Sequence, residues 1–395
     1  MVGGRKKILY VNGTGEMSGA EVSLLTLIAN LDRERFQPLV ALPWHGRFSS
    51  RLTDEDIPVV TMEVKSLTLA DLGPFGVVRN AARALPFIRA LRRFLHQSDI
   101  ALIHVNSYRI GIPCGLAARL AQVPVVWHVR DIATTRLKRW GVDLSARLLA
   151  DQVVAISQAV AARLAESSSK VVTIYNGIDT SPFSEARGGP QVREELGIAP
   201  GTLVIGNVGQ LVPWKGQDLL IEAIAEVSRV LNDLRLLLVG YEVPTVWALP
   251  EGYRRYPARL RDLVQDLDLD GTVTFTGFRD DIASVMDAFD LYVHTAVRPE
   301  PFGRVLVEAM ATGIPVVAPR AGGVPEIVDH GRTGLLFPQG DKHALRDAMV
   351  TLATDRAKRQ AMGREAARVA QERFTVQAYV EQVETLYAEL LGGTS

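Results

Sequence analysis

Glu300 and Glu308 stand eight positions apart on either side of the turn Phe302-Gly303-Arg304-Val305. Both carboxylates could accept hydrogen bonds from hydroxyl groups. The run Asp290-Leu291-Tyr292-Val293-His294-Thr295 just before them reads as a buried strand. Behind the turn, Val305, Leu306, Ala309 and Met310 recur at spacings of one and four, which predicts a helix. The first amides of that helix, near Gly303, Arg304 and Val305, have no partner inside it. Free N–H groups and the helix dipole together hold phosphate, and Gly303 lets the backbone come close to a ligand. A diphosphate flanked by hydroxyls on both sides describes a sugar nucleotide. An ordinary reading stands beside this one, because every α/β protein has strand–loop–helix units and acids near helix starts are common dipole partners.

A further strand, Ile314 to Pro319, and a second glycine-rich loop, Ala321-Gly322-Gly323-Val324-Pro325-Glu326, follow. The whole region resembles the retaining glycosyltransferases of family four, which have the GT-B fold. The resemblance is carried by Glu300-Pro301-Phe302-Gly303, Glu308-Ala309-Met310-Ala311, Pro315-Val316-Val317-Ala318, Gly322-Gly323 and Glu326-Ile327-Val328. It implies that Glu300 touches the donor sugar, that Glu308 binds the nucleotide ribose, and that the intervening amides at Phe302, Gly303, Arg304 and Val305 hold the diphosphate.

In the first half, the strand Lys6 to Val11 ends in the loop Asn12 to Glu21 and a helix is expected from Val22 to Leu31. As a dinucleotide fingerprint this loop is poor. Its third glycine, Gly19, comes one place late, and the strand Pro38 to Pro43 ends in Trp44-His45 rather than in the acid a ribose needs. Ser18-Gly19-Ala20-Glu21 is similar to the family's own loop here, which implies that Gly15 and Gly19 line the cleft near the donor phosphates. Pro124 to Asp131 reads as a strand with a polar tip. The family carries a His-Asp there whose His reaches the donor sugar. Either His128 is that residue, or Arg130 stands in its place with Asp131 as the Asp. Alternation puts His128 and Arg130 on one side of the strand, and His128 as a hydrogen-bonded core residue stays open.

In the second half, the strand Leu203 to Gly209 leads into Gln210-Leu211-Val212-Pro213-Trp214-Lys215-Gly216. A lysine beside a glycine could neutralise phosphate. The family has Gly-Arg-x4-Lys-Gly here, so Lys215 matches its lysine while Gln210 replaces its arginine. Arg279 or Arg304 is the candidate to supply the missing charge. Gly209 and Gly240, each closing a strand, are further candidates to line the donor. Gly277-Phe278-Arg279 resembles the loop that contacts the base. Asp266-Leu267-Asp268 has a metal-binding spacing but ends a helix away from other ligands, and no metal or other cofactor is expected. Val243 to Tyr256 is expected to be an ordered loop.

These residues must be held by two sheets. Strands at Ile57 to Val64, Ile100 to Asn106, Val123 to Val129, Gln152 to Ile156 and Lys170 to Tyr175 alternate with helices, which argues a doubly wound parallel sheet. The fold class expected is α/β, GT-B: two Rossmann-like domains facing a cleft. The domains are residues 1–180 on the acceptor side and 181–372 binding the nucleotide sugar, with a C-terminal helix of about 373–395 crossing back to the first. Asn176-Gly177-Ile178-Asp179 resembles the family's interdomain hinge.

The chain has 395 residues, too many for one ordinary core, and equal numbers of basic and acidic residues, 44 each, so no global field points to nucleic acid. Its one cysteine, Cys114, reads as a small core residue. No stretch approaches a membrane span, and Met1 to Lys7 runs straight into a strand, so a cytosolic chain without a signal peptide is expected. The segment Phe75 to His96 carries Arg79, Arg83, Arg89, Arg92 and Arg93 with no acid, an apolar stripe, and Pro86, expected to bend or start a helix. It is either a solvated face of a packed helix or a surface that docks on anionic lipid or an acidic acceptor. The function expected is transfer of a sugar, with retention, from a UDP- or GDP-sugar to a glycan or lipid-linked acceptor. A sugar-nucleotide epimerase and a catalytically weak binding subunit are the alternatives.

Overall fold

The computed structural model describes residues 5–64, 76–133, 135–164, 169–240 and 251–392, without the side chains of 76–83 and 138. The loop expected at Val243 to Tyr256 therefore lies mostly outside the described residues. The chain divides into two compact units, Met1–Gly177 with Val376–Ser395, and Ile178–Thr375.

The first unit holds seven parallel strands: β1 (Lys6–Val11), β2 (Phe36–Leu42), β3 (Val59–Thr61), β4 (Leu102–Val105), β5 (Val125–Val129), β6 (Gln152–Ala155) and β7 (Val171–Thr173). Their order is β3-β2-β1-β4-β5-β6-β7. Central strands such as β4 and β5 are buried along their whole length, as covering both faces with helices requires. The edge strands β3 and β7 are shorter than the apolar runs that predicted them. The first helix starts at Gly19, three residues before the expected Val22, and runs to Ala29. Pro86 neither starts nor ends a helix; it lies inside Gly76–Gln97.

The chain order moves one way from β1 to β3 and the other way from β4 to β7. Right-handed crossovers then place helices Gly76–Gln97, Gly111–Ala121 and Arg136–Leu149 on one face of the sheet, and neighbours in this layer pack side by side. On the opposite side, helix Gly19–Ala29 packs with the last helix, Val376–Leu390. Tyr379, Val383 and Tyr387 of that last helix join Tyr10, Leu24, Ile28 and Val40 in the core. Glu384 fastens it further, accepting from the Asp32 amide at 2.7 Å.

The second unit holds six parallel strands: β8 (Leu203–Val208), β9 (Leu234–Val239), β10 (Val273–Gly277), β11 (Leu291–Val293), β12 (Val316–Pro319) and β13 (Gly334–Phe337). Their order is β10-β9-β8-β11-β12-β13. Leu220 and Ile224 pack over Leu236 and Leu238, with Leu345 and Met349 in the same core. The order reverses direction between β8 and β11, and loops leaving the carboxyl ends of such neighbours diverge and open a crevice for ligand.

Candidate active site

Lys215 leaves β8 and Glu300 leaves β11, the two strands on either side of the reversal. Lys215 Nζ donates to Glu300 Oε2 at 2.8 Å, and both side chains are largely buried. The Trp214 ring lies 4.2 Å beneath the ammonium. The two loops are sewn together: Thr295 Oγ1 donates to the Lys215 carbonyl at 3.0 Å, and the Val297 amide to the Trp214 carbonyl at 3.0 Å. His294, which the sequence reading passed over as the end of an apolar strand, puts Nε2 3.3 Å from Glu300 Oε2. Burial alone would raise the Glu300 pKa. The Lys215 ammonium and the His294 ring outweigh burial and hold it well below the usual carboxylate range. Burial lowers the His294 pKa, with help from Lys215 and against the pull of Glu300.

Gly303 caps the helix Arg304–Ala311 at φ +100°, a left-handed conformation that favours glycine, and no side chain caps the helix start. The uncapped end therefore follows Glu300 by three residues. Glu308 is buried inside this helix, and Arg304 Nε lies 2.7 Å from its Oε1. Arg304 Nη1 is buried without a hydrogen-bond partner among the described residues. Phe302 is buried edge-on against Phe374, and Val305 is half-buried. Beyond β12, Gly322 pairs with Glu300 and the Gly323 amide donates to the Glu300 carbonyl at 2.8 Å. Gly322 sits at φ +62°, and a side chain there would meet the Glu300 carbonyl at 2.2 Å, so the backbone under Glu300 requires a glycine.

The neighbouring strand ends close tightly. The Gly240 amide donates to the Gly277 carbonyl at 3.0 Å, and a side chain at Gly240 would collide with the Gly209 carbonyl. Gln210 accepts from Gln217 through its backbone carbonyl at 2.9 Å. Neither candidate for the missing cation is uncommitted. Arg304 holds Glu308, and Arg279 spends its guanidinium on Asp281 at 2.7 Å and on Glu195 at 3.0 Å. Phe278 beside it is exposed. No cluster of three or more His, Cys, Asp or Glu fit to hold a metal occurs among the described residues, so Asp266 and Asp268 gain no further ligand.

The first unit gathers a second polar cluster at the ends of β1, β4 and β5. Arg130 Nε donates to Asn106 Oδ1 at 2.6 Å and Nη1 to Asn176 Oδ1 at 2.6 Å. Its Nη2 faces His128 Nδ1 at 3.3 Å and Tyr379 OH at 3.2 Å. So His128 and Arg130 do share a side of the strand, and they touch. Because a guanidinium can only donate, His128 Nδ1 accepts. His104 Nε2, 3.1 Å away, then donates to it, and His104 Nδ1 accepts from Tyr387 OH at 2.7 Å. This leaves the proton of His128 on Nε2, which is buried without a partner among the described residues. Burial, reinforced by the Arg130 charge, pushes the His104 pKa down to about 3 and that of His128 well below its ordinary value, so both rings are neutral. Asn106 donates onward to Asn12 at 2.9 Å, and Asn12 to Glu21 at 3.1 Å, which also binds Ser18.

Asp131 stands apart from this cluster. It is half-exposed, lies 3.8 Å from Arg109, and lines a small pocket with Tyr108, Val142 and Arg163. Gly15 is required by packing, since a side chain there would meet the Trp44 carbonyl at 2.3 Å, while Gly19 faces open space. Cys114 is a buried core thiol. Asn12, Asn106, Tyr379 and Tyr387 escaped the sequence analysis because single polar residues in separate elements carry no spacing signal, and Asn176 entered it only as part of the hinge motif.

Comparison with known proteins gives this geometry its setting. The model of glycosyltransferase family 4 matches residues 17–182, and that of the group 1 glycosyl transferases matches residues 190–369. The structure of Anabaena HepE, in complex with UDP and glucose, is 30% identical, covers 98% of this chain and 100% of its own, and superposes with a TM-score of 0.84. N-acetyl-alpha-D-glucosaminyl L-malate synthase of Bacillus anthracis is 29% identical over 75% of this chain and 76% of its own length. The GDP-mannose-dependent alpha-mannosyltransferase of Mycobacterium tuberculosis is 27% identical over 92% of this chain and 93% of its own length. An uncapped helix start between two glutamates, on a doubly wound sheet matched along nearly its whole length, leaves one conclusion: this chain belongs to the group 1 glycosyltransferases of family four and has their GT-B architecture.

Proposed function

We propose that the protein transfers a sugar, with retention of anomeric configuration and without a metal, from a nucleoside-diphosphate sugar to a glycan or lipid-linked acceptor. The observation that carries the reading is the Lys215–Glu300 pair beside the uncapped helix at Gly303, on the strands that flank the reversal of the second sheet. As the glycosidic bond breaks, negative charge grows on the leaving diphosphate. The amides at Gly303 to Val305 and the Lys215 ammonium stand ready to receive it, supplying positive potential from the protein itself. Glu300 is held ionised, so it accepts hydrogen bonds from sugar hydroxyls and is a weak base. A weak base makes a poor nucleophile, which favours a mechanism in which the departing phosphate helps take the acceptor proton. Glu308, fixed by Arg304, takes the ribose hydroxyls.

The names of the relatives put UDP and GDP forward as nucleotides. Among the described residues no helix is long and apolar enough to cross a membrane, and a lipid-linked acceptor would be met by peripheral contact at the cytoplasmic face. A panel of UDP- and GDP-sugars tested in chelator-treated enzyme, with the product anomer read by NMR, tests the proposal. The expected result is one donor turned over with its configuration kept. Inversion, or turnover restored only by a divalent cation, would refute it. The commitment of Arg279 and Arg304 to carboxylates favours one second reading, a weakly catalytic binding subunit. Tight nucleotide binding without turnover of any donor would support it.

A further inference from the structure

The helical layer Gly76–Gln97, Gly111–Ala121 and Arg136–Leu149 is unlike the rest of this electrically balanced chain. It contains ten Lys or Arg and a single acid, Asp143, and Asp143 lies 3.5 Å from Arg147 within the same layer. Among the described residues the chain exposes ten large apolar side chains, and six of them lie here: Leu85, Leu116, Leu120, Leu137, Trp140 and Leu148. Leu116 and Leu120 are one turn apart on the middle helix. On its neighbour, Leu137, Trp140, the half-buried Leu144 and Leu148 follow at i, i+3, i+7 and i+11, a single stripe along the outer face. Trp140 is 60% exposed and Leu137 is 62% exposed. Arg119, Arg136 and Arg147 are exposed beside the stripe.

We propose that this layer docks the first unit on a bilayer surface containing anionic lipid. Apolar side chains flanked by arginines on a helix lying flat suit the boundary between headgroups and acyl chains, where leucine and tryptophan enter and cations meet phosphate. A second copy of the chain would have to bring this basic face against its own likeness across a two-fold axis, with Asp143 as the layer's single acid. A nucleic acid would cover the arginines but leave the leucine stripe wet. The basic helix Gly76–Gln97 thus acts with two partners rather than alone, and the apolar contribution comes mostly from those partners. The inner side of the same striped helix contributes Val142 to the pocket containing Asp131 and Tyr108. On the proposed transferase reading, an acceptor anchored in that bilayer would reach the enzyme beside this pocket.

Full-length protein is sedimented with vesicles of phosphatidylcholine alone or with 30% phosphatidylglycerol, at low and high salt. The expected outcome is binding to the anionic vesicles only, weakened at least tenfold by high salt. Leu137→Ser/Trp140→Ser should cut partitioning at least tenfold, and Arg136→Glu/Arg139→Glu should do the same while flattening the salt dependence. Thermal stabilisation by UDP or GDP is measured on each variant. Unchanged stabilisation shows that the variants are folded, and it separates loss of docking from failure of the donor reading. Absence of vesicle binding by folded wild type, or full binding by both variants, overturns the proposal. So does a concentration-dependent dimer abolished by the Leu137/Trp140 change, which would make the face an interface between copies.

Discussion

At the scale of single residues, the second unit's site is a buried ion pair with a task. Lys215 and Glu300 neutralise one another across 2.8 Å, and on the proposed function each would be released toward a ligand group by a diphosphate and sugar hydroxyls. Lys215→Met should leave Glu300 buried without its cation. Stability should fall by about 3 kcal/mol, much of it returning in Lys215→Met/Glu300→Gln, as denaturant titration would read. Turnover by Lys215→Met should fall about 10²–10³-fold, because a preorganised positive charge is lost from the leaving group. Glu308→Ala should keep the fold and weaken nucleotide binding about 10–100-fold by calorimetry, the value of charge-assisted hydrogen bonds to two hydroxyls. Binding like that of the wild type would remove Glu308 from the site. Glu300 and Lys215 were legible as candidates because each sits in a short motif near a turn glycine, and Glu308 through its eight-residue spacing from Glu300. The Arg304–Glu308 contact was legible only as an i,i+4 spacing, and the sequence reading gave Arg304 to phosphate. In the structure its Nε reaches the second carboxylate at 2.7 Å.

At the scale of elements, the strands and their carboxyl-end loops do the positioning. The first unit's polar cluster uses β1, β4, β5 and the last helix, and its two histidines are buried neutral. An unfolded histidine titrates near its ordinary value of about 6.5, so below that pH the unfolded chain takes up protons that the folded cluster refuses. The folded values are depressed. Stability is therefore fully present above about pH 6.5 and lost as pH falls from there toward the folded pKa of about 3 for His104. The loss should approach about 1.4 kcal/mol per pH unit for each histidine. Equilibrium unfolding from pH 7 to pH 5 should show this slope, and His104→Gln should reduce it. A flat profile across that window would mean that the rings are not buried neutral. Glu300 acts in a separate, more acidic window, since its folded pKa lies below an ordinary carboxylate's.

At the scale of the whole molecule, the chain leaves its first unit after Gly177 and comes back to it at Val376. The returning helix supplies Tyr379, Val383 and Tyr387 to the first unit's core and a hydroxyl to Arg130. Deleting residues 376–395 should therefore unfold the first unit while leaving the second unit's sheet, which would appear as a protease-resistant fragment beginning near residue 178. A truncated chain whose first unit resists protease as the full chain does would refute this account of the core.

Local order was decided by the sequence itself. Apolar runs of strand length, glycines at turns and helical spacing depend on neighbours a few residues away, so most strands of the two sheets and the Glu300–Glu308 turn could be read directly, with errors of a few residues where edge strands fray and with the short edge strand Gly334–Phe337 missed. The company each side chain keeps was decided only by the tertiary structure. His294 beside Glu300, Arg130 held by Asn106, Asn176 and Tyr379, and leucines of two separate helices sharing one basic face all depend on strand order. Contacts across 24, 46 and 249 positions leave no periodic trace in a chain, because only folding brings such residues within reach of a hydrogen bond.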